Sequence, residues 1–275
     1  MDDYLLGDSP QELKRLTLQA RPLRPITARL LSESGLAKGM RVLDLGCGPG
    51  DVAILAATIV GSSGEVVGID CSEEAVALAT YRASLSGLQQ IKFQTCDIYD
   101  FLDISLFDFV IGRYVMVHQA DPTAFLRKSA SLVRPGGVLA LHEVLLSEPL
   151  MDSSPKLPLL SDAGRWILTA LQAGMPNHSC AERMIEHFFE AGLPQPQLSC
   201  ERPIGGGEDS LLYGWTSETL KSIFPHLIRM GLVSPETEDL NTFERRLKEQ
   251  ALSARSQILG PTQITAWVKL ESNND

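Results

Sequence analysis

The sequence predicts an α/β fold built on a doubly wound parallel sheet. Three observations carry that expectation. From Met40 to Val144, apolar strand-like runs alternate with helical segments. The run Val42-Leu43-Asp44-Leu45 ends in the alternating glycines Gly46, Gly48 and Gly50 and passes directly into helix-like sequence from Asp51 to Val60. A second apolar run, Val66-Val67-Gly68-Ile69, ends in the carboxylate of Asp70, about 20 residues past the glycines, where a doubly wound sheet places an acid against a ribose.

The elements follow in order. Residues Pro10 to Ser32 have helical spacing of Leu13, Leu16, Leu18, Ile26, Leu30 and Leu31, and Pro22 and Pro25 divide them into two short helices. Residues 1–39 thus form an N-terminal helical segment, and 40–149 the core. After the two glycine- and acid-ended strands come a helix over Glu73 to Leu85, a strand over Ile91 to Cys96 that leads into Asp97, and a strand over Phe107 to Arg113. A helix over Pro122 to Leu132 precedes the turn and strand Val133 to Leu141. Helices are expected over Ser161 to Ala173 and Cys180 to Ala191, and a sixth strand over Gln197 to Glu201. Gly205-Gly206-Gly207 reads as a flexible joint before helices over Ser210 to Met230 and Glu236 to Arg255, and Ile264 to Leu270 reads as the last strand. Residues 179–207 and 261–275 complete the core. The helical insertions at 150–178 and 208–260 leave the sheet where strand C-termini open. They are expected to form a lid over a small apolar or amphipathic substrate, the alternative being helices that dimerise or thicken the core.

Composition narrows the function. The chain has 275 residues, 44% of them hydrophobic, and a formal charge of −10. That charge repels phosphate backbones, so nucleic acid is not expected as a partner. No apolar run reaches the roughly 20 residues of a membrane span. The acidic start Met1-Asp2-Asp3 is unlike a secretory leader, and five scattered cysteines without a C-x-x-C pair suggest reduced thiols and a cytoplasmic location. The histidines show no metal-ligand spacing, and no metal is expected.

The glycine spacing is G-x-G-x-G, with Asp51 where a dinucleotide site would carry its third glycine. A pyrophosphate uses the positive helix N-terminus, and a carboxylate there competes with it. S-adenosylmethionine has ribose hydroxyls, no phosphate and a sulfonium cation, and tolerates Asp51. With these motifs the sequence resembles a class I S-adenosylmethionine-dependent methyltransferase, similar to the branch of ubiquinone and menaquinone C-methyltransferases. The resemblance runs from Met40 to Val144, with a weaker tail to Leu270, and it rests most on Leu43 to Gly50 together with Asp70.

That resemblance implies a Rossmann-like sheet of seven strands, the last inserted antiparallel between the fifth and sixth. It implies that Asp44, Gly46, Cys47, Gly48, Asp70 and Cys71 surround the cofactor, with Asp97 reading the adenine amino group beside Ile98. Asp70, with two oxygens, suits both ribose hydroxyls. Arg113 suits the carboxylate of the methionine end, or else forms a surface ion pair. Tyr4 and Gln19 belong to the segment that folds over the cofactor in similar enzymes. Tyr4 lies on the sulfonium side in one reading and in an unordered terminus in the other.

In-line methyl transfer needs alignment above all, and an acceptor hydroxyl would gain from a general base. His142 and Glu143, closing the fifth strand, and His118, after the fourth, are the candidates. The competing readings are packing or orientation for His142, and a helix cap or loop tie for His118. Trp166, Phe188, Phe189, Tyr213, Trp215 and Phe224 are candidate lining for an apolar substrate pocket, or ordinary core. An arsenic acceptor would call for cooperating thiols, for which only Cys180 with Cys200 offers a basis. The expected activity is methylation of a small organic molecule, a specialised metabolite or quinone-like lipid, at O, N or C. The rivals are an S-adenosylmethionine-binding protein that steers a cyclisation or acts as a regulatory partner, and a nicotinamide oxidoreductase. A homodimer is the expectation where the insertion helices dimerise.

Overall fold

The computed structural model describes residues 10–271; Tyr4 lies outside them. The chain divides into two compact units. The larger, the core unit, comprises Arg24–Val144, Ser179–Cys200 and residues from Ile264 onward. The smaller, the helical unit, comprises the chain up to Leu23, Leu145–His178 and Glu201–Gln263.

The first helix, α1 (Pro10–Glu33), is continuous, where the sequence predicted two. Pro22 and Pro25 each remove one backbone donor, at roughly 3 kcal/mol or more for an interior proline. Opposing that cost, Ala20, Leu23, Ile26, Leu30 and Leu31 are all buried at helical spacing, and burial of each large side chain returns about 1.5–3 kcal/mol. Packing on one face therefore carries the helix through both prolines.

In the core unit, β1 (Arg41–Leu45), α2 (Asp51–Val60), β2 (Glu65–Asp70), α3 (Glu73–Leu85), β3 (Ile91–Thr95), β4 (Phe107–Arg113), α4 (Pro122–Ser131) and β5 (Val133–Val144) alternate as expected. Parallel strands covered on both faces become continuous apolar runs. The interior of β4, from Phe109 to Gly112, is accordingly buried at every residue. Leu30, Leu31, Val42, Val52, Ala56, Val60, Val66, Phe109, Ile111 and Ala140 form one core cluster, which seats α1 and α2 on the sheet.

Within the helical unit lie β6 (Asp152–Ser154) and α5 (Pro158–Gly174). The segment Cys180 to Ala191, read as one helix, is a 3-10 turn at Cys180–Glu182 followed by α6 (Met184–Glu190), and it belongs to the core unit with β7 (Gln197–Glu201). Then come β8 (Ile204–Gly205), α7 (Leu211–Arg229), α8 (Phe243–Ala254), β9 (Gln257–Leu259) and β10 (Gln263–Lys269).

The seven-stranded sheet has the order β3-β2-β1-β4-β5-β10-β7, so the last strand does insert between the fifth and sixth. Its direction is fixed by a reciprocal bond pair: Gly136 N–H to Leu270 O at 3.1 Å and Leu270 N–H to Gly137 O at 2.9 Å. This pattern belongs to antiparallel neighbours. The order reverses across β1 and β4, and a crevice at such a switch point is where an open α/β sheet binds its ligand.

The sequence missed the small sheet β6-β9-β8 of the helical unit. Its strands have two or three residues each, too short for a period to register. Gly205 to Gly207 is correspondingly no loose joint. Gly205 pairs with Ile258, and a Cβ on Gly206 would sit 2.7 Å from Ser256 O, so glycine serves close packing here.

Helix α4 starts with Asp121 accepting the Ala124 N–H at 2.9 Å and Pro122 in its first turn. Asp121→Ala is expected to lower stability by about 1 kcal/mol, read as a lower urea midpoint with an unchanged slope. An unchanged midpoint would contradict the cap assignment.

Candidate cofactor and active site

The β1–α2 turn makes its reversal with left-handed backbone at Gly46 (φ 59°), Gly48 (φ 50°) and Gly50 (φ 82°). At Gly46 the reason is contact: a Cβ would lie 2.6 Å from Val115 Cγ2. At Gly48 an added Cβ would meet no heavy atom within 4 Å, so that face of the turn is open space.

Asp70 secures the turn from β2. Its Oδ2 accepts the Gly48 N–H at 2.8 Å and its Oδ1 the Ser72 N–H at 2.9 Å. Each carboxylate oxygen has two lone pairs, so a single oxygen can accept from the turn and from a ligand hydroxyl together. Cys47 donates its N–H to Ile69 O at 2.9 Å and is buried, which holds its thiol well above the ordinary range. Cys71 is exposed. Partial desolvation of its sulfur and the charges of Asp97 and Asp70 raise its thiol pKa to about 11, and its Sγ lies 3.8 Å from Asp97 Oδ2. Asp97, exposed, accepts the Tyr99 N–H at 2.8 Å through Oδ1, and Ile98 beside it is buried.

Asp51 opens α2, as the sequence indicated, but it is not a bare charge. Arg82 grips it bidentately at 2.7 and 3.0 Å and also donates to Pro49 O at 2.6 Å. The pair offsets the acidic charge, and the first turn of α2 is occupied all the same.

Asp44 is the buried acid of the site. Its carboxyl is pushed up from 3.8 to about 7 by burial, against the opposing charge of Arg113 and the Ala53 N–H. Among the described residues its Oδ2 has no hydrogen-bond partner, a costly state for a buried acceptor. Arg113 ends β4, half-buried rather than at the surface. Its Nη1 lies 3.4 Å from Thr27 Oγ1.

His142 and Glu143 both have zero exposure. His142 Nδ1 lies 3.0 Å from Thr27 Oγ1, and its ring meets Tyr114 edge-on at 5.9 Å. Glu143 Oε1 accepts the N–H groups of Val115 at 3.0 Å and Met116 at 2.8 Å. Burial pushes its carboxyl from 4.5 up to about 8, and those backbone donors pull the other way. The N–H of Tyr114, a non-glycine residue in left-handed backbone (φ 59°), donates to His142 O at 2.9 Å. Such a conformation costs on the order of 1–3 kcal/mol and persists where its surroundings over-determine it. His118, half-buried, sits in the 3-10 turn Met116–His118, while the cap of the next helix is Asp121.

Gln19 belongs to the helical unit. It is buried, and its side-chain oxygen accepts from Arg15 at 2.6 Å, while Arg15 also pairs with Glu12. Of the aromatic candidates, Phe188 and Phe189 lie on α6 in the core unit, Phe188 buried and Phe189 exposed. Tyr213, Trp215 and Phe224 are buried in the helical unit, and Trp166 is half-buried there. Sequence reasoning missed Thr27, Val115 and Arg82. Each acts through a contact between residues far apart in the chain, which no local spacing announces.

A family profile described as a methyltransferase domain matches residues 36–191, more than half of the chain. The chain belongs to this family, the class I S-adenosylmethionine-dependent methyltransferases. It is 32% identical over 155 residues to an arsenite methyltransferase of Aquipseudomonas alcaligenes, covering 52% of this chain and 44% of the relative. It is also 32% identical over 180 residues to a 2-phytyl-1,4-naphtoquinone methyltransferase of Synechococcus elongatus, covering 63% of this chain and 73% of that one. The chain spans about half the length, or less, of several curated relatives it matches. In fold it resembles the phosphoethanolamine N-methyltransferase 2 of Haemonchus contortus in complex with S-adenosyl-L-methionine. The TM-score is 0.53 at 18% identity, over 90% of this chain and 53% of that one.

Gly48→Ala places a methyl group in the open space of the turn. It is expected to cost about 1 kcal/mol of stability for the left-handed backbone while weakening cofactor binding by at least about tenfold, or roughly 1.4 kcal/mol. Calorimetry alongside thermal melting separates the two, and wild-type affinity would contradict the site.

A second expectation concerns pH. A carboxyl whose native pKa is raised keeps a proton that the unfolded chain releases, so its contribution is present below the unfolded pKa and lost as pH climbs through the native one. For Glu143 that window runs from 4.5 to about 8. Thermal stability should therefore fall between about pH 5 and about pH 8, and Glu143→Gln, with no proton to lose, should flatten the decline. Equal slopes would contradict the raised pKa.

Proposed function

We propose that this chain binds S-adenosylmethionine in its core unit and transfers the methyl group to a small organic molecule. The observation that carries the reading is the set of acids at the strand ends. Asp44, Asp70 and Asp97 lie at or just past the C-terminal ends of the neighbouring strands β1, β2 and β3, Asp70 bonds the open glycine turn, and the buried Oδ2 of Asp44 has no donor among the described residues. Three carboxylates repel a pyrophosphate and attract a nucleoside that is cationic.

In this reading Asp70 accepts from the ribose hydroxyls and Asp97 from the adenine amino group, with Ile98 against the ring. The ammonium of the methionine end satisfies Asp44, and Arg113 meets its carboxylate as a charge-assisted donor. Gly46, Cys47, Gly48 and Cys71 shape the wall. When bound, the cofactor supplies an electrophilic methyl carbon on sulfur. The chain's part is to align the acceptor in line with that bond and to exclude water, which accounts for much of the rate without a catalytic side chain. Where the acceptor is a hydroxyl, His118 is the base candidate with surface to offer. His142 and Glu143 have none.

Tyr213, Trp215 and Phe224, buried within the helical unit, suit contact with an apolar or amphipathic molecule. The 2-phytyl-1,4-naphtoquinone methyltransferase among the relatives supports a specialised metabolite or quinone-like lipid as the acceptor we favour. Among the described residues no helix is long and apolar enough to cross a membrane. With the acidic charge and five unbridged cysteines, this supports a cytoplasmic enzyme without a nucleic-acid partner.

Product mass tests the activity. Incubation with methyl-labelled cofactor and a panel of phenols, quinols and amines should yield one product heavier by a single labelled methylene-equivalent unit. Conversion of an acceptor into an isomer of the same mass would contradict transfer. Asp70→Ala, which removes an acceptor shared by the turn and the ribose, is expected to raise the cofactor Kd by at least about tenfold; an unchanged Kd would remove Asp70 from the site.

A further inference from the structure

Glu143 holds a piece of backbone that touches the cofactor turn, and it does so without any exposure of its own. One carboxylate oxygen takes the N–H groups of both Val115 and Met116, at 3.0 and 2.8 Å. The preceding residue contributes as well, because His142 O takes the N–H of Tyr114. Three consecutive donors after β4 are thus fixed by two consecutive residues of β5, across the left-handed kink at Tyr114. Val115 then faces Gly46 so closely that a Cβ there would lie 2.6 Å from its Cγ2. The chain of contact runs from the β5 acid, through a rigid turn, to the first glycine of the ligand loop.

We propose that Glu143 is a positioning residue for the cofactor turn: it locks the turn after β4 so that Val115 seats against Gly46, and it sets cofactor affinity without touching either reactant. This inference rests on the cofactor reading given above. It assigns Glu143 a task different from general base catalysis, for which a group must reach the reacting proton. The second oxygen of Glu143, Oε2, is buried and has no hydrogen-bond partner among the described residues, so the hold on the turn is carried by Oε1.

The role makes specific demands on substitutions. Glu143→Gln keeps an oxygen that accepts both N–H groups, whereas Glu143→Ala leaves them without an acceptor. With S-adenosylhomocysteine as the calorimetric probe on the full chain, Glu143→Ala, which leaves both N–H groups without their acceptor, should raise Kd by about tenfold. Glu143→Gln should recover to within about threefold. Amide exchange at Val115 and Met116 should accelerate in the alanine variant and stay slow in the glutamine one. Val115→Ala, which removes the contact and keeps Glu143, should weaken binding in the same direction and serves if Glu143→Ala does not fold.

Two results would overturn the proposal: wild-type affinity in both Glu143→Ala and Val115→Ala, or a Glu143→Gln variant with intact affinity whose turnover falls by about 10²-fold or more, as loss of a general base would give. Wild-type protein that binds neither S-adenosylmethionine nor S-adenosylhomocysteine would instead overturn the cofactor reading, and the proposal with it. The exchange data would then report on the lock alone.

Discussion

Between Leu45 and Asp51 the backbone must leave a fully buried strand and enter a buried helix within five residues, and it manages this only through left-handed geometry at alternate positions. Everything around the turn is arranged to hold it there. Asp70 takes the Gly48 N–H from one side, Val115 occupies the place of the missing Gly46 side chain, and Phe93 and Ala79 close on Gly50. The turn is a meeting point of β1, β2, α3, β3 and the segment after β4, and its stability derives from packing that lies far from it in sequence. Its open side, at Gly48, is what remains for a ligand.

Charge is distributed around this turn in two ways. Asp51 is matched by Arg82, so the helix start is neutralised locally. Asp44 and Glu143 are buried deeply enough for desolvation to dominate, and both hold their protons more tightly than a solvated carboxyl. Each keeps one oxygen without a hydrogen-bond partner among the described residues, Oδ2 of Asp44 and Oε2 of Glu143. The other oxygen of Glu143 holds the N–H groups of Val115 and Met116, whereas Asp44 lies on β1 just before the glycine turn.

Much of this was legible in the sequence. The core strands follow from apolar runs whose period and bounding glycines are local signals, and the late strand expected over Ile264 to Leu270 is β10 (Gln263–Lys269), while its place between β5 and β7 came from the resemblance to class I methyltransferases. Asp70 and Asp97 were visible as acids ending such runs. The continuous α1 was not, because Pro22 and Pro25 are strong local breakers and the burial that overrides them is tertiary. Thr27, Val115 and Arg82 left no trace for a related reason: a hydroxyl 115 residues from His142 acquires meaning only when both are brought together. His142 and Glu143 illustrate the reverse. Their position at a strand end suggested a crevice, yet the same strand end is covered on both sides.

The most direct test of the account is isothermal titration of the purified chain with S-adenosylmethionine and S-adenosylhomocysteine, with NAD⁺ as the control. The account predicts micromolar binding of the first two, about −8 kcal/mol, and no heat with NAD⁺. Binding of NAD⁺ with no response to either sulfur nucleoside would contradict the reading of the acids at the strand ends, and with it the assigned chemistry.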